Sequence, residues 1–244
     1  KIIMRFFHKK KNIKSLIPKG FTDIHSHVLF GIDDGARTIE DSILMIKKFI
    51  ELGIYKIIAT PHVISGVWPN STKIILKKLS AVKNRIKLEG LSEFTIHAAA
   101  EYMLDDNFNQ LLERKDLLTI KKNIILVEMS YFNPPFNLFD TLYKIQIAGY
   151  RPLIAHPERY SFYHMDRSKF LDLKSSGALF QLNILSLTNY YGRSVQKVAL
   201  YLLEENMYDF VGSDAHNVKH LDIMNFALSK SHFRLLKSLI EKNN

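Results

Sequence analysis

Seven short apolar, strand-like segments alternate with helix-like segments along most of this chain. The predicted strands cover residues 21–24, 54–59, 94–98, 123–127, 152–155, 178–182 and 208–211. The predicted helices cover residues 38–52, 71–88, 136–148, 168–176 and 195–205, with a helical excursion at 105–117 and one or two covering helices in 221–241. This alternation predicts a parallel sheet, closed into a distorted (β/α)7 TIM-like barrel.

The chain is long enough for one such barrel. It has 244 residues, 47% of them hydrophobic, and α/β barrels of roughly 250 residues commonly form one domain. We therefore predict a basic N-terminal extension, residues 1–20, followed by a single barrel domain, residues 21–244. The absence of cysteine excludes disulfides, thiolate zinc sites and cysteine nucleophiles.

The net charge of +10 is concentrated at the N-terminus. Residues 1–22 contain seven basic residues and no acid, so the remainder is close to balanced. This distribution argues against nucleic-acid binding, and we expect no nucleic-acid partner. The basic segment 1–18 is also apolar, which leaves open a membrane or partner contact, a frayed extension, or packing on the base of the barrel.

No apolar run approaches the roughly 20 residues needed to span a bilayer, and the N-terminus lacks the pattern of a signal peptide. We expect a cytoplasmic protein.

Nine potential metal ligands follow the predicted strands. They are His25, His27, Asp34, His62, Glu101, Glu128, His156, Asp214 and His216. The carboxyl ends of parallel strands are where a barrel assembles its site. Nitrogen and oxygen donors in this number predict a multinuclear metallohydrolase.

Two of these motifs place alternate residues on one side of an extended segment. The first is His25-Ser26-His27 and the second is Asp214-Ala215-His216. A closed barrel brings its last strand beside its first, so the two pairs are expected to meet. Taken alone, the first pair could be surface histidines and the second an Asp-capped turn.

Four further candidates are harder to interpret one at a time: Glu101, Glu128, His62 and His156. Buried acids are costly unless they are paired or bound to a metal, which favours a cation near the two glutamates. Proline follows or precedes each histidine, in Pro61-His62 and His156-Pro157, and stiffens the backbone there. Either histidine alone could equally be a hydrogen-bonded core residue.

Taken together, the motifs resemble a known superfamily. They are Asp23-Ile24-His25-Ser26-His27, Ile32-Asp33-Asp34-Gly35-Ala36, Ala59-Thr60-Pro61-His62, Glu101, Val127-Glu128, Ile154-Ala155-His156-Pro157-Glu158-Arg159-Tyr160 and Ser213-Asp214-Ala215-His216-Asn217. The chain resembles the polymerase-and-histidinol-phosphatase superfamily from about Phe21 to His216. Within it, the closest resemblance is to bacterial manganese-dependent protein-tyrosine phosphatases of capsule and exopolysaccharide loci.

The resemblance implies three divalent metal ions. His25, His27 and Asp214 would bind the first, with Glu101 bridging to the second; Glu128 and His156 would complete the second; Asp34, His62 and His216 would bind the third. The resemblance favours manganese, while the ligand types suit iron or zinc as well.

The expected chemistry is attack on phosphorus by a metal-bridged hydroxide, with no protein nucleophile. Asp214 contributes as a metal ligand, and Arg159 is expected to clamp a phosphoryl oxygen. Without the resemblance, Arg159 would be read as an ordinary surface arginine. Members of the family often carry a further arginine after the Asp-x-His motif, where this chain has Lys219 and His220.

Aromatic residues flank these motifs. Tyr131, Phe132, Phe136, Tyr160, Phe162 and Tyr163 could form a rim for a phosphotyrosyl ring or could pack as loop anchors.

The sequence leaves three functions open. The favoured one is a protein-tyrosine phosphatase acting on a phosphotyrosine protein, with a bacterial tyrosine kinase of polysaccharide export as the implied partner. The alternative is a small-metabolite phosphomonoesterase of the histidinol-phosphatase type. A basic nucleic-acid-binding protein or nuclease is supported only by the charge.

Overall fold

The computed structural model describes residues 11–243 and contains all seven predicted strands. The strands are β1 (Lys11–Asn12), β2 (Thr22–Ser26), β3 (Lys56–Ala59), β4 (His62–Val63), β5 (Thr95–Ala98), β6 (Glu101–Met103), β7 (Ile124–Glu128), β8 (Arg151–Ala155), β9 (Leu179–Asn183), β10 (Phe210–Gly212) and β11 (Ala227–Leu228). The helices are α1 (Ile39–Glu51), α2 (Thr72–Leu88), α3 (Asp106–Arg114), α4 (Leu138–Ile147), α5 (Ser168–Ser175), α6 (Arg193–Glu204), α7 (Val218–Ile223) and α8 (Lys230–Glu241).

The strands form a distorted parallel barrel, as predicted. One sheet has the order β10-β9-β8-β7-β6-β4, and the other has the order β2-β3-β5. Every neighbouring pair within these two sheets is parallel. The first and last barrel strands meet through a parallel bridge between Ser26 and Ala215, and the amide of Asp214 donates to the carbonyl of His25 at 2.8 Å.

Two predicted strands end where they were expected to, and each is followed after a two-residue break by a short additional strand at the end that carries the site. β3 stops at Ala59 and the chain resumes as β4 at His62; β5 stops at Ala98 and resumes as β6 at Glu101. Backbone hydrogen bonds continue across both breaks, from the amide of Ala99 to the carbonyl of Ala59 and from the amide of Glu101 to the carbonyl of Pro61. His62 and Glu101 therefore lie side by side in register, each as the first residue of a short new strand.

Apolar side chains fill the barrel and cover its outside. The interior contains a small cluster that includes Ile24, Leu126 and Leu153, and a larger core lies between the sheet and the surrounding helices. Burial on both faces explains why strands such as β7 are apolar throughout. Within residues 11–243, no helix combines the length and the apolar character that crossing a membrane requires.

A capping box fixes the start of α1. Thr38 caps α1: its side chain accepts from the amide of Asp41, whose carboxylate accepts from the amide of Thr38 in return. This reciprocal arrangement satisfies two backbone donors that the first helical turn leaves unpaired. At the other end of α1, Gly53 lies just after the C-cap residue and has a φ of +84°, a left-handed conformation that glycine adopts without strain.

Residues 11–20 pack on the barrel. β1 pairs antiparallel with β11, and Ile13 and Leu16 are buried in the main core. The division at residue 20 stays a prediction, and the predicted membrane or partner contact of residues 1–18 lies mostly outside the described residues. The predicted covering helices near the C-terminus are α7 and α8, with β11 between them.

A buried polar contact holds the first and last strands of the barrel together. The carboxylate of Asp23, in β2, accepts from the amide of Ser213 at 2.9 Å and from its hydroxyl. The same hydroxyl lies 3.1 Å from the carbonyl of His25. Both side chains are buried, and Oδ2 of Asp23 has the Ser213 hydroxyl as its donor, whereas Oδ1 accepts from the amides of Ser213 and His25.

We predict that Ser213→Ala destabilises the fold by about 2 kcal/mol, because a buried carboxylate oxygen loses its donor. The melting temperature should fall by roughly 4–8 °C, measured by thermal denaturation. Ser80→Ala, at an exposed position of α2, is the matched control and should melt like the parent. Equal melting temperatures for the two variants would contradict the prediction.

Candidate metal centre

The structure brings all nine predicted ligands to one end of the barrel. Seven are buried, His216 is half-buried, and the side chain of Asp34 is 50% exposed. Eight of the nine, all except His156, have ligand atoms that form three overlapping groups, in each of which every pair lies within 4.8 Å. The groups are His25, His27, Glu101 and Asp214; His27, Asp34, His62 and His216; and His62, Glu101 and Glu128.

The first group coincides with the first predicted ligand set. Nε2 of His25 lies 3.2 Å from Nε2 of His27, and the two nitrogens lie 3.3 and 3.2 Å from Oδ1 of Asp214. Oε2 of Glu101 lies 3.1 and 3.5 Å from the same two nitrogens. Two imidazoles and two carboxylates thus point at one small buried volume.

Hydrogen bonds on the far side of the His25 and His27 rings fix which nitrogen of each ring carries the proton. Nδ1 of His25 donates to Oε1 of Gln181 at 2.9 Å, and Nδ1 of His27 donates to Oδ2 of Asp33 at 2.9 Å. The amide nitrogen of Gln181 donates to the carbonyl of Leu182, which leaves its oxygen as the acceptor. Both Nε2 atoms are therefore free to act as ligands, the arrangement typical of metal-binding histidines.

The donor set fits divalent cations. In neutral rings with Nδ1 protonated, the two facing Nε2 atoms carry lone pairs and cannot hydrogen-bond to each other, and the nearby carboxylates repel these lone pairs too. A cation would satisfy all of these groups at once. The ligands are imidazole nitrogens and carboxylate oxygens without sulfur, a set that manganese, iron and zinc accept.

The second group contains the third predicted set. Oδ1 of Asp34 lies 3.6 Å from Nε2 of His62 and 3.4 Å from Nε2 of His216. Nδ1 of His216 lies 2.9 Å from the backbone carbonyl of Asp214, so Nε2 faces Asp34 as a free acceptor. The exposure of Asp34 makes this part of the cluster the most open to solvent.

The third group differs from the predicted second set. Nδ1 of His62 lies 2.7 Å from Oε1 of Glu128 and 3.1 Å from Oε2 of Glu101. His156 joins the cluster through Glu101 instead, with Nε2 3.0 Å from Oε1. His62 therefore occupies the place beside Glu128 that was predicted for His156, because its ring extends from β4 to Glu101 on the adjacent strand β6 and to Glu128 at the end of β7, one strand further. The metal-binding role of each residue stays a prediction.

His156 has the features of a neutral ligand. Burial lowers its pKa to about 4, and the positive charge of Arg159 acts in the same direction. Its buried Nδ1 has no hydrogen-bond partner, and its φ of +34° is unusual for a residue that precedes proline. Asp214 is also left-handed, with φ of +50°. Such backbone conformations in non-glycine residues concentrate at functional sites.

The central carboxylates differ in their protonation. Burial raises the pKa of Glu128 to about 7, and repulsion from Glu101 adds to the effect. Burial opposes ionisation of Glu101 as well, but His25 and His62 outweigh it and hold its pKa well below the usual value. Burial alone would lower the pKa of His62, yet the neighbouring glutamates raise it to about 9. Glu101, at the centre, therefore carries its negative charge more firmly than Glu128.

Arg159 is anchored beside the cluster. Its Nη1 donates to Oδ2 of Asp214 at 2.8 Å, and Asn183 donates to the same oxygen at 2.8 Å. The guanidinium lies over the rings of Tyr131 and Tyr191, 4.7 and 4.3 Å from their centroids. One oxygen of Asp214 thus faces the imidazoles and the other is held by side-chain donors.

A cleft of about 380 Å³ opens above these residues. Its polar wall includes Asp34, His62, Glu128, His156, Arg159, Asp214 and His216, and its apolar wall includes Ile64, Val67, Trp68, Met103, Tyr131 and Phe132. Trp68 stacks on the ring of His62 at 4.9 Å. A cleft of this size suits one small group or one side chain rather than an extended ligand.

The predicted aromatic rim is correct in part. Tyr131 and Phe132 line the cleft, whereas Tyr160 and Tyr163 are buried and Phe162 packs against the core. The hydroxyl of Tyr160 accepts from the amide of Met129, which fixes this ring as a loop anchor.

His220 and Lys219 are not among the described residues that line the cleft. His220 instead lies 2.9 Å from the hydroxyl of Tyr190 and accepts from the amide of His216.

Sequence reasoning missed several residues of the site, among them Gln181, Asp33 and Trp68. Gln181 is a buried polar residue between the apolar Phe180 and Leu182, which was the available signal. Asp33 accepts from the amides of Gly35 and His62 besides His27, but beside Asp34 in the sequence it had no distinguishing mark. Trp68 lies in a loop, where nothing in the sequence indicated that it would face the cluster.

A distorted parallel barrel that carries this cluster of imidazoles and carboxylates at the carboxyl ends of its strands is an arrangement suited to a hydrolase that uses metal ions. The chain belongs to the capsular polysaccharide synthesis family CpsB/CapC, whose sequence profile matches residues 21–223.

Similar proteins agree with this membership. The tyrosine-protein phosphatase YwqE of Bacillus subtilis is 34% identical over 198 residues, which are 81% of this chain and 78% of that protein. A chain from the crystal structures of YwqE and of CpsB from Streptococcus pneumoniae, described as unique metal-dependent tyrosine phosphatases, superposes with a TM-score of 0.77 at 32% identity, covering 91% of this chain and 86% of that one.

A more distant structure shares the fold alone. The histidinol phosphate phosphatase of Lactococcus lactis, complexed with zinc, L-histidinol and phosphate, has a TM-score of 0.52 at 12% identity, over 92% of this chain and 94% of that one.

We predict that Asp33→Asn weakens metal binding about 10- to 100-fold, because the charged acceptor that orients the ring of His27 is lost. Titration of metal-stripped protein with manganese, followed by calorimetry, measures the change. Asp172→Asn removes an exposed carboxylate on α5 and should bind manganese like the parent. Identical manganese affinity in parent and Asp33→Asn, with the fold intact by circular dichroism, would contradict the role of Asp33.

Proposed function

We propose that this chain is a metal-dependent protein-tyrosine phosphatase. The observation that carries the proposal is the buried imidazole and carboxylate cluster at the floor of a cleft with an aromatic wall, in a chain of the CpsB/CapC family. Its relatives are named tyrosine-protein phosphatases, and one of the similar structures is described as metal-dependent. The cluster offers a place for the cations that such an activity would need.

Three cations, with manganese as the native metal, are part of the proposal. The overlapping groups of ligand atoms support three adjacent positions, because His27, His62 and Glu101 each contribute to two of them. Bound divalent cations would lower the pKa of a water molecule and neutralise charge on phosphoryl oxygens.

The chain's own residues would bind and orient the ester. Arg159 has donors beyond the Nη1 that contacts Asp214, and its planar group is suited to phosphoryl oxygens. Its two tyrosine neighbours and Asp214 hold the Arg159 side chain in place. The side chain therefore loses little conformational entropy when the phosphate ester binds. Trp68, Tyr131 and Phe132 offer aromatic surfaces to a phenyl ring.

The proposed substrate is a phosphotyrosine protein, and the proposed partner is a bacterial tyrosine kinase of polysaccharide export. The family description supports a role in capsular polysaccharide synthesis. The chain has no cysteine, so hydrolysis would not pass through a cysteinyl phosphate.

The deciding experiment compares two esters on metal-stripped protein with and without added manganese. We expect manganese to restore cleavage of a phosphotyrosyl peptide, with kcat/KM at least about 100-fold above that for histidinol phosphate, because the aromatic wall favours a phenyl ring. Asp214→Ala is the inactive control. Preferential hydrolysis of histidinol phosphate would reject the proposal in favour of a metabolite phosphatase.

We predict that Arg159→Ala lowers kcat/KM for the peptide about 100-fold while bound manganese stays unchanged. Arg159→Lys should recover little of the loss, because an ammonium lacks the planar pair of donors. Arg167→Ala, which removes an arginine stacked on Tyr201, is the matched control and should retain full activity. Loss of manganese in Arg159→Ala would instead assign the residue to positioning Asp214.

A further inference from the structure

A strip of exposed apolar side chains leads away from the cleft. Phe132 is 90% exposed and Phe136 fully so, and along α4 the exposed fractions are 49% for Phe139, 65% for Tyr143 and 70% for Ile147. The last three are spaced four residues apart in a helix and therefore lie on one face. Single exposed apolar residues are ordinary, but five large ones within 16 residues of the chain are not.

A groove lies beside the lower part of this strip. It has a volume of about 380 Å³ and runs between α3 and α4, where Leu112 faces Tyr143, Ile147 and Ala148. From Phe139 to Ile147 the helix rises about 12 Å. The strip and groove thus offer a surface that could hold two or three turns of an amphipathic helix.

The charges along the groove are mixed. Glu113 and Lys115 border it on the α3 side, and Lys144 borders it on α4, where Asp140 is also exposed. Balanced charge gives no attraction to an anionic membrane, so apolar contact is the main source of affinity. The groove is therefore suited to a polypeptide rather than to a lipid surface.

The strip is joined to the candidate active site along the chain. Phe132 lines the cleft, and the exposed Phe136 follows it four residues later, directly before α4 begins at Leu138. A polypeptide whose phosphotyrosine occupies the cleft therefore has this segment beside it. This adjacency favours the protein substrate itself as the occupant.

We propose that the row Phe132, Phe136, Phe139, Tyr143 and Ile147, with the α3–α4 groove, is a docking surface for an apolar, amphipathic segment adjoining the phosphotyrosine of the protein substrate. The proposal rests on the proposed phosphatase function and deepens it: the surface selects polypeptides over small phosphate esters. The small cleft alone supplies little discrimination among proteins.

The test uses the full chain with manganese and three substrates. They are para-nitrophenyl phosphate, a five-residue phosphotyrosyl peptide, and that peptide extended on either side by a helix with leucine at every fourth position. We expect at least one extension to lower KM about tenfold relative to the short peptide, with kcat unchanged.

The Tyr143→Ser/Ile147→Ser double variant should abolish this advantage and leave the kinetics of the two small substrates unchanged. Leu88→Ser, at an exposed apolar position at the end of α2, is the matched control and should retain the advantage. An extension that gives no advantage with the parent, or an advantage that survives in the double variant, would overturn the proposal.

A binding measurement separates docking from catalysis. The helical extension alone, labelled with fluorescein and without phosphotyrosine, should raise its anisotropy with the parent and not with the double variant. Retained binding without hydrolysis of any ester would reject the phosphatase function and preserve the docking surface. A parent dimer that becomes a monomer in the double variant would overturn the proposal, because the strip would then join two copies of the chain.

Discussion

The contact between β2 and β10 is the constraint on which the whole centre depends. It brings residues 25 and 27 beside residue 214, almost the full length of the barrel away in sequence. Asp23 and Ser213 hold this seam through buried hydrogen bonds, and the two flanking ligand pairs meet only because the seam closes. Closure of the barrel at this seam therefore decides which ligand pairs meet.

Much of the architecture could be predicted from the sequence because it depends on local pattern. Apolar runs of four to six residues marked the strands, and Thr38 with Asp41 marked a helix start that the structure confirms. All nine predicted ligands converge because the carboxyl ends of parallel strands share one side of a barrel. The interruptions after Ala59 and Ala98 had no such signature, since a sheet can carry hydrogen bonds across a short break.

The finer arrangement of the site depends on side-chain rotation, which spacing does not determine. His62 on β4 reaches Glu128 on β7 past the intervening strand β6, a contact that follows from the registers of β4 with β6 and of β6 with β7 and not from sequence distance. Asp33 and Gln181 act behind the ligands, where their effect is on ring orientation. The sequence also did not distinguish buried aromatic residues from those that line the cleft, because buried Tyr160 and cleft-lining Tyr131 occur in similar stretches of sequence.

The ligands come from residues 25 to 216, so nearly the entire barrel must be assembled before the cluster exists. A cation that binds this cluster binds the folded chain and has no comparable site in the unfolded one. Each hundredfold excess of free cation over its dissociation constant would then add about 2.7 kcal/mol to the stability of the fold. Cellular metal supply would thereby set how much of the protein survives as well as how fast it works.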